Sequence, residues 1–337
     1  MEDKGKKVLI IGGTGFLGYH AGQVLIRRGY SVSALALPDI DLEGWFPKQI
    51  PVSYGDIFTM GDEELSHNMD GFDFLVYAVG PDDRTTPDAP ADVFFNEKLV
   101  QASARVFVAA RKAGVKRAVL LGSYFSFFHR KWPHLKLDSR HPYIRARIRQ
   151  SEAVLEASGS DMETMILELP YIFGTSPGQI PLWKEVFFER LLKMNPVFYP
   201  DGGSAMICVE NVAEAIAGAL EKGEAGVRYP IGDTDIRWKE MFSIMFSAIG
   251  VRRRFIHVPY WTAAVVGRGM MRRHLKKGKE PGLHLGNVFK DIISQDFFLE
   301  SENSASILGY GTCDVRASIA MTAKACYPSG YSKKAHS

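Results

Sequence analysis

Cysteine is scarce: Cys208, Cys313 and Cys326 are the only three in 337 residues. They form no CxxC pair and leave one odd, which favours a reduced, cytosolic compartment and gives no metal site. The nine histidines make no HxxxH or HExxH pattern. His129, His134 and His141 are therefore read as shaping a site, and no metal ligand is assigned. Long hydrophobic runs are missing as well. The opening "MEDKGKKVLIIGG" has four apolar residues before glycine, whereas a signal peptide needs roughly 7–15. The longest candidate for a membrane span, "VPYWTAAVVGRGMM", is broken by Gly267, Arg268 and Gly269, well short of the roughly 20 apolar residues required. A net charge of +3 is too mild to argue for nucleic acid. The expectation is a cytoplasmic protein with no transmembrane segment and no nucleic-acid partner.

Apolar runs alternate with helix-like stretches through the first half. "KVLII" (7–11), "SVSALAL" (31–37), "VSYGD" (52–56), "FDFLVYA" (72–78), "KRAVLLGS" (116–123) and "ETMILEL" (163–169) read as strands. Helices are expected over 16–29, 92–114 and 142–159. Near-continuous apolar strands separated by helices predict an α/β fold with a Rossmann-type, doubly wound parallel sheet. After residue 172 the rhythm breaks. Residues 1–172 are assigned to a dinucleotide-binding domain, 173–330 to a smaller, mostly helical substrate lid partly interwoven with the sheet, and 331–337 to a polar tail.

Between the first strand and the first helix stand four glycines in seven positions, Gly12, Gly13, Gly15 and Gly18. Glycine costs roughly 0.5–1 kcal/mol relative to alanine inside regular structure, so these positions need to be bare. In the spacing GxxGxxG, one glycine permits a tight turn, one lets backbone approach a pyrophosphate, and one lets helix pack on strand. The phosphate then sits at the positive end of the helix. Glycines also make ordinary turns; strand before and helix after favour a dinucleotide.

"GGTGFLG" resembles the cofactor fingerprint of the extended short-chain dehydrogenases/reductases, which include nucleotide-sugar epimerases, dehydratases and steroid or flavonoid reductases. Further matches follow in order: "GDI" (55–57), "VYAVG" (76–80), "AGVKRAVLLGS" (113–123), "PYIRAR" (142–147), "PYIFG" (170–174), "VENVAEAI" (209–216) and "ASILGYGT" (305–312). The resemblance implies cofactor contacts at Gly12, Thr14, Gly15, Phe16, Leu17, Gly18, Asp56, Ile57, Ala78, Val79, Gly80, Pro170 and Ile172. It implies that Ser123 orients a carbonyl and that Tyr143 is the acid/base. Tyr143 and Arg147 would also touch the nicotinamide ribose.

A free tyrosine titrates near 10 and needs a nearby cation to work as a base. Arg147 lies four residues on, on the same helix face. The family has lysine there. Arginine keeps charge and donors but cannot deprotonate, so it cannot relay a proton. Two further departures, Glu168 where arginine is common and Cys208 where histidine is common, are read as touching the substrate side.

Ala36 and Leu37 occupy the positions that select between cofactors, and neither decides. The loop that follows carries Asp39, Asp41 and Glu43 with no base before Lys48, which favours NAD, with NADP the second candidate. Segment 258–279 joins apolar residues to Arg272, Arg273, Lys276, Lys277 and Lys279. It reads as a lid helix with a solvated basic end, or as a contact for a membrane surface or an anionic substrate tail. Two functions stay open. One is an NAD(P)-dependent oxidoreductase, epimerase or dehydratase acting on a small-molecule carbonyl or alcohol, with a lean toward a hydrophobic one. The other is a dinucleotide-binding sensor or scaffold without turnover. Helices 92–114 and 142–159 are available to pair in a homodimer.

Overall fold

In the computed structural model, residues 5–38 and 40–331 are described. Asp39 of the acidic loop and residues 332–337 of the expected tail lie outside the described residues. The strands are β1 (Lys7–Ile11), β2 (Ser31–Ala36), β3 (Val52–Tyr54), β4 (Phe74–Tyr77), β5 (Arg117–Ser123), β6 (Glu163–Leu169), β7 (Tyr171–Phe173), β8 (Val197–Tyr199), β9 (Gly203–Cys208), β10 (Arg228–Pro230), β11 (Thr234–Arg237), β12 (Phe255–His257) and β13 (Asp296–Phe297). Seven of them form one parallel sheet in the order β10-β6-β5-β4-β1-β2-β3. This is the doubly wound Rossmann sheet expected from the apolar runs.

The two sheet faces divide the strand residues between two cores. Val8, Ile10, Val119 and Leu121 pack on one side with helix Val209–Lys222. Leu9, Ile11, Ala118 and Leu120 pack on the other with helices Ala102–Lys112 and Pro142–Ser158. Both faces are covered, which is why these strands read as continuous rather than alternating apolar runs.

The seventh strand comes late in the chain. "VRYPIG" supplies β10, which pairs in parallel with β6. The later chain also builds a second sheet, β11-β9-β13, with β7 beside β9. Its own core includes Phe173, Phe188, Trp238 and Phe242.

The cysteine reading needs correction. Cys208, at the end of β9, is disulfide-bonded to Cys313 across 105 residues, with their Cα atoms 6.3 Å apart. Cys326 is free and buried. Nothing in the local spacing reports this pairing, because it depends on β9 meeting the segment before helix Val315–Ala325. The argument from cysteine count to a reduced compartment therefore fails. Glu210 lies within 4.8 Å of both sulfurs, but sulfurs bonded to each other offer no thiolate to a metal ion. Among the described residues no helix is long and apolar enough to cross a membrane.

Candidate active site

Chain order turns back between β1 and β4, the topological switch point of the sheet, and open α/β sheets bind ligands outside the strand ends there. A cavity of about 840 Å³ opens at that edge. Phe16 and Leu17, after β1, line one end with Ala78, Val79 and Gly80, after β4. Ser123, Tyr143, Arg147, Pro170 and Ile172 line its floor.

The glycine turn divides its tasks. Gly12 has φ +82°, and a Cβ there would stand 2.5 Å from Val79 Cγ1 and 2.8 Å from the Ala78 carbonyl oxygen. Gly12 makes the turn. A Cβ on Gly18 would collide with the Gly12 carbonyl, so Gly18 lets helix Phe16–Arg27 lie against the strand end. Gly15 meets only the Gly12 oxygen, at 3.3 Å. It caps the helix with no side-chain partner and no acid in the first turn. That leaves the first helical N–H groups unsatisfied and the positive end of the helix open to an anion. A dinucleotide pyrophosphate fits these features.

Thr14 is buried, and its carbonyl accepts a hydrogen bond from Gln179 Nε2 at 3.1 Å. Gln179 also lines the cavity, so a residue from beyond β7 closes over the fingerprint. Asp56 and Ile57 stand farther off, outside the cavity lining. Asp56 Oδ1 accepts the Phe58 N–H at 2.9 Å, and Ile57 is buried.

Ser123 ends β5 and begins helix Tyr124–Lys131, its Oγ accepting the Phe125 N–H at 3.4 Å. Tyr143 enters on helix Pro142–Ser158. Pro142 sits at the first helical turn, where a missing N–H costs nothing. The Tyr143 N–H donates to the Gly282 carbonyl at 3.0 Å. A buried polar group fixes this helix start. Arg140 Nη1 lies 2.7 Å from Asp291 Oδ1, His141 Nε2 lies 3.5 Å from Asp291 Oδ2, and His141 Nδ1 accepts the His284 N–H at 3.1 Å. Burial would raise the Asp291 carboxyl, but hydrogen bonds from His141 and Arg140 hold it below its usual range. His141 thus ties the start of this helix to His284 and Asp291.

Arg147 is only 7% exposed. Its Nη2 donates to the Leu121 carbonyl at 2.6 Å, and its guanidinium carbon lies 5.9 Å from the Tyr143 ring centre. Its Nε is buried without a partner. The cation is in place beside the phenol, yet it does not win. Burial pushes Tyr143 up to about 12; Arg147 opposes the rise, and Asp83 and Asp82 add to it.

Those two aspartates were missed. The segment "GPDDR" (80–84) follows the fourth-strand motif directly, and three charges in a row beside an expected cofactor strand were the available signal. Asp83 lines the cavity and lies 4.0 Å from Arg84 Nε. Burial raises its carboxyl to about 6, with Arg84 opposing and Asp82 reinforcing. Arg84 also pairs with Asp82 and lies 5.8 Å from the Trp183 ring centre. Trp183 is the middle of an aromatic stack. Tyr171 lies 5.5 Å from it at 16° and Phe187 5.3 Å at 8°. With Leu182 and Val186 these rings make an apolar wall.

The two expected substrate-side departures are elsewhere. Glu168 is completely buried in β6, 2.8 Å from Arg130 Nη2, and Cys208 is in the disulfide. Neither lines the cavity.

Known proteins carry the same architecture. The family model described as the NAD dependent epimerase/dehydratase family matches residues 8–232. The 4-hydroxy-2-methyl-3-oxo-4-farnesyl-3,4-dihydroquinoline-1-oxide ketoreductase of Stigmatella aurantiaca is 23% identical over 323 residues, covering 90% of this chain and 91% of its own. The decarboxylating sterol-4-alpha-carboxylate 3-dehydrogenase of Mus musculus is 22% identical over 280 residues, covering 77% and 73%. The solved structure of the Bordetella bronchiseptica enzyme WbmG in complex with NAD has a TM-score of 0.68 at 18% identity, covering 97% of this chain and 95% of that one. With a family model matched over most of its length, the chain belongs to the NAD dependent epimerase/dehydratase family, of the extended short-chain dehydrogenase/reductase type, and NAD is the cofactor that this membership gives it.

Proposed function

We propose that this protein is an NAD-dependent ketoreductase of apolar, ring-bearing substrates, with Tyr143 as its proton donor. The observation that carries the reading is the shared cavity: Ser123, Tyr143 and Arg147 on its floor, and the Tyr171–Trp183–Phe187 stack on its wall. Such a wall buries flat apolar surface and offers few partners to a sugar or a diphosphate. The printed activities of the two curated relatives, on a farnesyl quinoline and a sterol, support the same substrate class.

Bound NAD(H) supplies hydride exchange with the substrate carbon. The Ser123 and Tyr143 hydroxyls donate to the substrate oxygen, and Tyr143 delivers the proton as negative charge develops there. A phenol raised to about 12 is held protonated at neutral pH, which suits reduction better than alcohol oxidation. Arg147 stabilises the tyrosinate left behind, and its guanidinium, lining the cavity, is a donor for the cofactor ribose. Gly12, Gly15 and Gly18, with the N–H groups of Phe16 and Leu17, hold the pyrophosphate. Thr14 shapes that turn; Ala78, Val79 and Gly80 would flank the adenine ribose, and Asp56 and Ile57, beyond the cavity lining, would meet the adenine at its outer end. Pro170 and Ile172, on the cavity floor, would lie against the nicotinamide.

Absorbance at the reduced-nicotinamide band tests this, with NADH and a panel of apolar ring ketones set against nucleotide sugars. Oxidation of NADH by the ketones is expected. Turnover of the sugars alone overturns the substrate class, and a melting shift with NAD without any turnover supports a sensor. NAD is expected to bind more tightly than NADP, because Asp41 and Glu43 put carboxylates and no cation in the loop after β2.

A further inference from the structure

Helix Tyr260–Lys276 is held to the protein by one narrow stripe. Ala264, Gly267 and Met271 are its buried residues, and a Cβ on Gly267 would collide with the Leu285 carbonyl. At 100° per residue, Trp261 flanks this stripe and Val265 and Val266 lie on the opposite side. These are 59%, 56% and 63% exposed. β8, paired with β12 just before the helix, adds the exposed Phe198.

The last two turns change character. Arg272, Arg273, Lys276 and Lys277 are all exposed. Among the described residues none of the four has an ion-pair partner, whereas Lys279 pairs with Asp88 at 2.8 Å. No acidic residue occurs from Tyr260 to Lys279. The outer surface is therefore apolar at the start of the helix and cationic at its end.

We propose that helix Tyr260–Lys276 docks the protein on an anionic lipid bilayer. Trp261, Val265 and Val266 enter the boundary between headgroups and acyl chains, and Arg272, Arg273, Lys276 and Lys277 meet lipid phosphates. Tryptophan favours that boundary, and interfacial helices bury roughly 5–10 Å deep. The charge selects the occupant. A bilayer accepts apolar residues and cations within one short helix, while pairing with a second copy would bring like charges together. A polynucleotide would leave Trp261, Val265 and Val266 in water.

The chain beyond the helix runs on to the active site. Ala89 N–H donates to Gly278 O at 2.8 Å and Gly282 N–H to Thr85 O at 3.2 Å, and Gly282 O receives the Tyr143 N–H. The inference does not depend on the reaction, because lipid binding is measured without substrate.

Flotation of the full chain with phosphatidylcholine vesicles, with and without phosphatidylglycerol, tests it. Binding to the anionic vesicles and release by high salt are expected. Arg272→Gln, Arg273→Gln, Lys276→Gln and Lys277→Gln combined should lower partitioning at least ~100-fold, since each cation near an anionic surface contributes roughly fivefold. Trp261→Ser, Val265→Ser and Val266→Ser combined should lower it about 10-fold or more by removing buried apolar area. Both variants should keep the wild-type melting curve. Quenching by brominated anionic lipid should fall in Trp261→Phe, which preserves the apolar bulk. Absence of wild-type flotation overturns the proposal, as does equal flotation of the glutamine variant. A wild-type dimer that the serine variant splits, with no lipid binding by either, assigns the surface to a second copy instead.

Discussion

The two ends of the cleft are built differently. At the fingerprint end the shape comes from backbone: Gly12 turns, Gly18 packs and Gly15 leaves space within a few consecutive residues. At the catalytic end it comes from side chains. Ser123, Tyr143, Asp83 and Trp183 arrive from four separate segments, and charge and burial compete over each ionisable group. A backbone-built site fails by strain. A side-chain-built site fails by lost chemistry, and substitutions at the two ends should separate these outcomes.

The largest effect should come at the catalytic end. Tyr143→Phe is expected to lower kcat by ~10²–10⁴-fold while NAD affinity, read by calorimetry, stays unchanged. Normal turnover by this variant would remove the tyrosine mechanism. Arg147→Ala should lose both properties, with NAD binding weaker by about tenfold or more, since a hydrogen bond to a charged group is worth roughly 1.5–3 kcal/mol. Arg147→Lys should not raise the rate. The Leu121 carbonyl holds one arm of the guanidinium and leaves Nε free, a fork that lysine lacks. A faster Arg147→Lys enzyme would show that proton relay, rather than the fork, limits turnover.

Strain is the measure at the other end. Gly12→Ala forces a side chain into φ +82° against Val79 and should cost about 1–3 kcal/mol in denaturant unfolding. Gly15→Val should abolish NAD binding with a much smaller stability loss, because Gly15 faces open space apart from one oxygen at 3.3 Å. Equal losses in the two variants would blur the division of tasks.

The smallest expected effect tests Asp83. Its carboxyl rises from 3.8 to about 6 on folding, so between these values the folded protein binds more protons than the unfolded chain. Stability is lost as pH rises through that window, and the cost is complete above about 6. Asp83→Asn should therefore be the more stable form at pH 7, by about 1–2 kcal/mol; the full rise is worth at most roughly 3 before solvent screening. The gain should vanish in denaturant titrations near pH 3.8. A constant difference at both pH values would mean that Asp83 acts through packing.

Legibility followed the same divide. The strand runs, the GxxGxxG turn and the pairing of Tyr143 with Arg147 are local patterns, and the fold and the placement of that pair could be read from spacing. Asp83, Gln179 and Trp183 could not be placed, because their tie to the cleft runs through loops whose course depends on the packed sheet. Glu168 and Cys208 are assigned to the substrate side by their departure from the family pattern, and only the packed structure sets Glu168 against Arg130 and bonds Cys208 to Cys313. A strand's apolar content shows that it is buried, but not which face each residue takes.

The sequence by itself determined the parallel sheet and the glycine turn, which follow from periodicity and from residues a few positions apart, while the serine, tyrosine and arginine of the floor were named by resemblance to the short-chain family. Tertiary structure alone decided the Cys208–Cys313 bond, the aromatic wall and the upward shift of the Tyr143 phenol. Contact across 105 residues and the withdrawal of a phenol from water have no local signature. Both arise when distant segments pack, and burial then outweighs the nearby cation that the sequence makes visible.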